Sequence, residues 1–111
     1  MTPEMLEHWG RTARACDGFR WLPGMRDTYR DRTLVLDRPP NEWEFPPDFS
    51  DPATLGCLEA LLVEGYRGAI VLTKGNGWWS IETDREGGYW DNDDTGSYIE
   101  GCVLALKELD R

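Results

Sequence analysis

Residues 50–65, SDPATLGCLEALLVEG, form the clearest helix pattern in the chain. Ser50 or Asp51 supplies a side-chain oxygen for the N-cap, and Pro52 suits the first helical position, where its missing N–H costs nothing. An apolar stripe follows at helical spacing and consists of Leu55, Leu58, Leu61 and Leu62. Gly65 favours the left-handed conformation that often ends a helix. The stretch therefore predicts a capped helix with one face in the core.

The sequence before this helix predicts three regions. Thr2-Pro3-Glu4 has the residue types that begin a helix, and Gly18 ends it. Residues 19–22 and 33–36 are apolar runs typical of short strands. Residues 38–50 contain four prolines, which fix φ and remove backbone donors, so we expect an irregular segment there.

The sequence after the helix predicts a β-hairpin. Residues 69–73 and 78–83 are strand-like and flank a turn that contains two glycines. Strand alternation puts Trp79 and Ile81 on one face and Trp78 on the other. Trp78 is then the tryptophan that we expect to be exposed, unless helices cover both faces of the sheet.

A short edge strand and a last helix complete the pattern. Tyr89-Trp90 begins the strand, and Asp94 or Thr95 caps the helix, whose buried stripe is Ile99, Cys102, Val103, Leu106 and Leu109. Gly56 and Gly101 lie inside helices, where each costs about 1 kcal/mol relative to Ala. We therefore expect close helix–sheet contact at both glycines.

Together these elements predict a single α+β domain over residues 1–111. Three helices pack with a mostly antiparallel sheet of four to five strands, in the order α-β-β-α-β-β-(β)-α. The expected core is Leu58, Leu62, Trp79, Ile81, Ile99, Val103 and Leu106.

Several segments resemble one group of phage proteins. They are WLPGM at 21–25, DPATLGCLEALL at 51–62, the Trp-containing hairpin, and EGCVLALKEL at 100–109. The chain resembles, from about Gly18 to Leu109, small phage and prophage proteins described as a phage alpha-beta-alpha sandwich domain. The resemblance implies a phage or prophage origin and helices packed against the sheet. It implies no activity, because the group has no general assigned one.

The charge of the chain restricts the classes of partner. The net charge is −9, and residues 39–111 hold fifteen of the 21 acidic residues but only five of the 12 basic ones. An acidic surface repels a phosphate backbone and favours a basic protein surface, although it also simply keeps a protein soluble. We expect no direct nucleic-acid binding. No apolar run approaches the roughly 20 residues of a membrane span, and no secretory signal begins the chain, so we expect a cytoplasmic protein without membrane contact.

The residue types for catalysis or metal binding do not form a recognisable motif. His8 is the single histidine, so neither a catalytic triad nor a typical zinc site is indicated. The three cysteines have no CxxC spacing and suit small buried positions. Residues 91–96 resemble the start of a calcium loop, but Cys102 stands where its bidentate Glu belongs. We expect no enzyme, no cofactor and no metal site.

Aromatic and acidic residues alternate near the hairpin and suggest a protein-binding surface of aromatic anchors with an acidic rim. The candidate partner-binding residues are Trp78, Glu82, Asp84, Glu86, Trp90, Asp91, Asp93 and Asp94.

These observations lead to a binding-protein hypothesis. It describes an inhibitor of a host defence system, similar to an anti-CRISPR protein, that occupies a basic nucleic-acid-binding surface of a host protein or nucleoprotein complex. One alternative is a structural or regulatory phage accessory protein, and self-association is left open. The other alternative is a small metal-dependent hydrolase.

Overall fold

The computed structural model describes residues 2–26, 46–93 and 96–110. Its elements are α1 (Pro3–Arg14), α2 (Pro52–Gly65), β1 (Ile70–Gly75), β2 (Trp78–Thr83), β3 (Tyr89–Asp91) and α3 (Tyr98–Glu108). The described residues thus form an α+β fold with three helices and a three-stranded antiparallel sheet in the order β1-β2-β3. None of the helices in this described part has both the length and the apolar character that a membrane crossing requires.

The helix starts follow from side-chain caps. The Thr2 hydroxyl accepts the N–H of Met5 in α1, and the Asp51 carboxylate accepts the N–H of Thr54 in α2. Proline occupies the first turn of both helices, where no donor is needed. Of the two residues proposed as the N-cap of α2, Asp51 is the one that caps the helix.

The cap predicted for α3 is wrong. The helix begins at Tyr98, and Ser97 is its N-cap, with the side-chain oxygen accepting the N–H of Glu100 at 3.2 Å. Ser97 has the extended backbone that a cap requires, and Asp94 and Thr95 precede it too far along the chain. Both lie outside the described residues.

The end of α2 also differs from the prediction. Gly65 is still helical, and the left-handed residues are Arg67 (φ 54°) and Gly68 (φ 81°). The N–H of Arg67 bonds to the carbonyl of Glu64, and the N–H of Gly68 bonds to that of Val63. This pair of bonds is a Schellman motif that puts arginine at the position where glycine is usual. Gly65 instead lies against the side chain of Leu109.

The residues that the structure describes contain three strands, so the predicted four to five are not confirmed. No strand forms at the predicted residues 19–22, which are irregular and lie between two turns. The N–H groups of Phe19 and Met25 close these turns by donating to carbonyls three residues back. The other predicted strand, 33–36, lies outside the described residues. The described end of the proline-rich segment, 46–50, is irregular as expected and touches residue 26 by one β-bridge.

Two faces of the sheet follow from the register. The covered face carries Ile70, Leu72, Lys74, Trp79, Ile81, Thr83 and Trp90. The open face carries Val71, Thr73, Gly75, Trp78, Ser80, Glu82, Tyr89 and Asp91. The turn between β1 and β2 consists of Asn76 and Gly77, and the positive φ of Gly77 (81°) suits it to so tight a connection.

The main core lies between the covered face and the helices. Six of the seven predicted core residues are buried, while Ile99 is half-buried against them. A Cβ on Gly101 would stand 2.5 Å from the ring of Trp79, which confirms the expected close helix–sheet contact there. Gly56 is exposed with no atom within 4 Å of that position, so the same expectation is wrong for Gly56.

Candidate protein-binding site

The open face combines exposed rings with exposed carboxylates. Val71, Glu82 and Tyr89 form one cross-strand row, and Thr73, Ser80 and Asp91 form the next. Directly paired residues on neighbouring strands lie about 4.5–5.5 Å apart, so each row is a continuous surface. Val71 is 55% exposed, Trp78 50% and Tyr89 47%. Exposed apolar groups within a polar rim are typical of a protein-interaction surface.

Trp78 lies at the hairpin end of the open face and is held there by its neighbour. Its indole Nε1 and Cε2 occupy the place where a Cβ on Gly75 would stand. Gly75 is the cross-strand partner of Trp78, and only a glycine leaves room for the ring to lie against the backbone. One side of the indole is therefore covered, and half of the side chain stays exposed.

The carboxylates of the open face differ in their contacts. Glu82 is exposed, and within the part of the chain that the structure describes its carboxylate makes no hydrogen bond or ion pair. The Asp91 carboxylate accepts the N–H of Asp93 at 2.9 Å, which fixes the start of the loop after β3. Glu82 therefore presents an exposed carboxylate between Val71 and Tyr89.

The other predicted partner-binding residues are divided by the fold. Asp84 and Glu86 lie exposed in the turn between β2 and β3, and Asp93 is exposed after β3. Asp84 borders a groove with Tyr66 and Arg67 at the end of α2, on the helical side of the sheet. Asp94 lies outside the described residues. The structure thus brings Trp78, Glu82 and Asp91 together on one face, and the other described carboxylates of the set lie in loops.

Trp90 does not join this group. It pairs with Ile81 on the covered face and is half-buried against the core. Its ring lines a groove with α3 residues that include Leu104 and Lys107. Strand alternation gives the reason, because Tyr89 and Trp90 must point to opposite faces.

Two residues of the open face were not among the predicted binding residues. Tyr89 and Val71 flank Glu82, and both are exposed. The alternation that assigned Trp78 to this face would also have identified them, had the pairing register been known. Register depends on the turn lengths, so the sequence pattern of one strand could not supply it.

A polar cluster closes one edge of the covered face. The Tyr98 hydroxyl donates to Glu59 at 2.5 Å, and the Lys74 ammonium lies 3.3 Å from the same carboxylate oxygen. Lys74 also lies over the Tyr98 ring, 4.7 Å from its centroid. Burial raises the pKa of the Tyr98 phenol, so this hydroxyl stays protonated and acts as a donor. The cluster ties α2, β1 and α3 together.

The thiols are poorly suited to nucleophilic chemistry. Burial raises the pKa of Cys16 and Cys57, and it raises the pKa of Cys102 to about 12. A thiol with a raised pKa holds little of the reactive thiolate near neutral pH. Among the described residues, no three His, Cys, Asp or Glu side chains are grouped to hold a metal ion. His8, the single histidine, packs edge-on against Trp9, with ring centroids 4.9 Å apart.

Comparisons with known proteins identify no relative. No protein-family model matches the chain, and no curated protein or solved structure is similar enough to count as a match.

Proposed function

We propose that this protein is a non-enzymatic binding protein that occupies a basic surface of another protein or nucleoprotein complex through its open face. The observation that carries the proposal is the group formed by Val71, Trp78 and Tyr89, exposed on the same face as Glu82. Exposed aromatic anchors dominate binding energy in protein interfaces, and surrounding charges set the choice of partner.

Charge determines which partner suits this face. The chain has a net charge of −9, and the open face carries the carboxylates of Glu82 and Asp91. A phosphate backbone would be repelled, and two copies of the open face would bring like charges together. A basic surface gains from both the charges and the rings.

The specific form of the proposal is an inhibitor of host defence. Surfaces that hold DNA or RNA are rich in Lys and Arg, and an acidic protein seated on such a surface excludes the nucleic acid. The resemblance to small phage and prophage proteins supports a defence system, such as a CRISPR effector complex, as the target. The protein would then act in the cytoplasm of the host cell.

Binding to purified CRISPR effector complexes of several types, measured across ionic strength, tests the proposal. We expect one complex to bind the protein. That complex should then bind nucleic acid more weakly, and it should release the protein at high salt. Trp78→Ala should raise the off-rate, because a central aromatic anchor is removed.

A matched pair of charge variants makes the test specific. Glu82→Gln combined with Asp91→Asn, both on the open face, should weaken binding at low salt, while Glu4→Gln combined with Asp17→Asn, which removes the same charge from the helical side, should not. Circular dichroism checks that each variant is folded. An equal loss of affinity in both double variants, or an affinity that does not depend on salt, would refute charge-driven binding through the open face.

The alternatives make different predictions in the same experiments. A phage accessory protein would bind only itself or a phage partner, and sedimentation of the protein alone would reveal the self-association. A metal-dependent hydrolase would gain thermal stability from Mg²⁺, Ca²⁺ or Mn²⁺ in a saturable way.

A further inference from the structure

We propose that the open face recognises arginine rather than lysine, with the indole of Trp78 as the surface on which a partner's guanidinium stacks. This inference rests on the proposed function, because it names the chemistry that the same face selects. It depends on how the Trp78 ring is held, on the charges next to it, and on the difference between the two basic side chains.

The ring of Trp78 is already positioned for stacking in the free protein. Its contact with Gly75 leaves the indole lying against the backbone of β1, with half of the side chain exposed. An aromatic ring that is already fixed loses little conformational entropy when a partner binds. The exposed side of the indole is thus a preorganised apolar surface with the negative electrostatic potential of a π system.

Neighbouring carboxylates restrict what can stack there. Asp91 lies on β3 opposite Ser80, so it is the diagonal neighbour of Trp78 across the two strands, about 7–8 Å away, and Glu82 lies one row further. A nucleobase would also suit a flat ring, but its phosphates would meet these charges. A cationic planar group satisfies both the ring and the carboxylates.

Arginine fits this combination better than lysine. Its guanidinium is planar and weakly hydrated, so it stacks on an indole while its edge N–H groups donate to carboxylates. The lysine ammonium is compact and strongly hydrated, and it gains from the charges but little from the flat ring. We therefore expect a preference that depends on Trp78 and a general attraction that depends on the carboxylates.

Fluorine NMR on the full chain labelled with 5-fluorotryptophan tests the inference. The Trp78 resonance is assigned by its loss in Trp78→Phe. Two amidated peptides, one of alternating glycine and arginine and one of alternating glycine and lysine with the same charge, are the probes. We expect the arginine peptide to shift the Trp78 resonance and to bind about three- to fivefold more tightly than the lysine peptide.

Variants separate the stacking surface from the charge. Trp78→Ala should remove the preference for arginine, and Gly75→Ala should weaken it by displacing the indole. Val63→Ala, which shortens an exposed side chain on α2 and not on the open face, should leave the preference unchanged. Glu82→Gln should lower the affinity for both peptides by about the same factor. Circular dichroism and the dispersion of the remaining fluorine resonances confirm that each variant keeps its fold.

The outcomes distinguish this inference from the proposed function. Equal affinity for both peptides, no shift of the Trp78 resonance, or a preference that survives in Trp78→Ala would overturn arginine recognition. The first of these, together with salt-sensitive binding to an effector complex, would leave the proposed function standing. A Trp78-dependent arginine preference with no effector complex bound would support the inference and refute the proposed target.

Discussion

Trp78 and Trp79 are neighbours on β2, but they belong to different parts of the molecule. Trp79 is 7% exposed, packs against Gly101 of α3 and meets Tyr98 edge-on with ring centroids 5.9 Å apart. Trp78 is half exposed and touches the backbone of Gly75. The pleat of the strand sends one indole into the core and the other to the surface.

The contrast extends to the two faces of the sheet. The covered face meets the helices through buried apolar groups such as Ile81, and changes there alter the stability of the fold. The open face holds Val71, Tyr89 and Glu82 in positions that cost little to change. If binding is the function, its residues should be on the face where stability does not depend on them.

The largest expected difference separates the two tryptophans. Trp79→Ala should lower the free energy of unfolding by about 3–5 kcal/mol, because it opens a cavity in the core. Trp78→Ala should lower it by less than about 1 kcal/mol, as for an exposed position. Urea denaturation followed by far-ultraviolet circular dichroism measures both values.

A milder variant keeps this comparison measurable if Trp79→Ala does not fold. Ile81→Val on the covered face should cost about 0.5–1.5 kcal/mol. Similar losses for Trp78→Ala and Trp79→Ala would show that the open face is part of the core.

Two glycines in helices sharpen the comparison. Gly101→Ala should destabilise the protein by about 1–3 kcal/mol, because its Cβ would collide with the buried ring of Trp79. Gly56→Ala, on the exposed side of α2, should stabilise it by about 0.5–1 kcal/mol through helix propensity. In thermal denaturation, we expect Gly101→Ala to lower the melting temperature and Gly56→Ala to raise it. A higher melting temperature for both variants would contradict the close packing of α3 on the sheet.

The polar edge of the covered face should give an intermediate effect. Tyr98→Phe keeps the ring under Lys74 but removes the hydroxyl that donates to Glu59, so it should cost about 1–2 kcal/mol. Ser80→Ala on the open face should change stability by less than about 0.5 kcal/mol. Chemical denaturation of both variants compares them, and equal effects would show that the cluster of Tyr98, Glu59 and Lys74 adds nothing to stability.

The smallest expected effect concerns Asp51, which belongs to neither face. Hydrogen bonds from the Thr54 hydroxyl and N–H lower the pKa of Asp51 below its ordinary value of 3.8. A depressed pKa in the folded state means that the stabilisation is present above the ordinary value and is lost as the pH falls through the folded one. Asp51→Ala should cost about 1 kcal/mol near neutral pH.

Asp51→Asn is the control for this pH dependence. Asparagine caps helices about as well as aspartate, so the variant should retain most of the stability near neutral pH. Its stability should then fall less than that of the parent as the pH drops below 3.8, although solvent exposure keeps the difference small. An identical acid dependence in the two proteins would show that Asp51 is not the group involved.

Prediction from sequence succeeded where the pattern was local. The N-cap at Thr2, the span of α2, the hairpin of β1 and β2, and the opposite exposures of Trp78 and Trp79 all follow from residue types and spacing. It failed where several local solutions compete. Ser97 caps α3 in place of Asp94 or Thr95, and Arg67 takes the left-handed conformation predicted for Gly65.

The candidate site was predicted in part for the same reason. Trp78, Glu82 and Asp91 share the open face, whereas Trp90 lies on the covered face and Tyr89 takes the place beside Glu82. A cluster in sequence mixes residues from both faces of a strand, and only the pairing register separates them.

The sequence by itself determined the composition of each element and the −9 charge, because helix caps, apolar spacing and ionisable groups are properties of a few adjacent residues. Only the tertiary structure decided which residues act together. It determined that Gly101 contacts Trp79 while Gly56 contacts nothing, and that Gly75 supports Trp78. Such contacts join residues that are far apart in sequence or that lie on antiparallel strands, and their geometry depends on how whole elements pack.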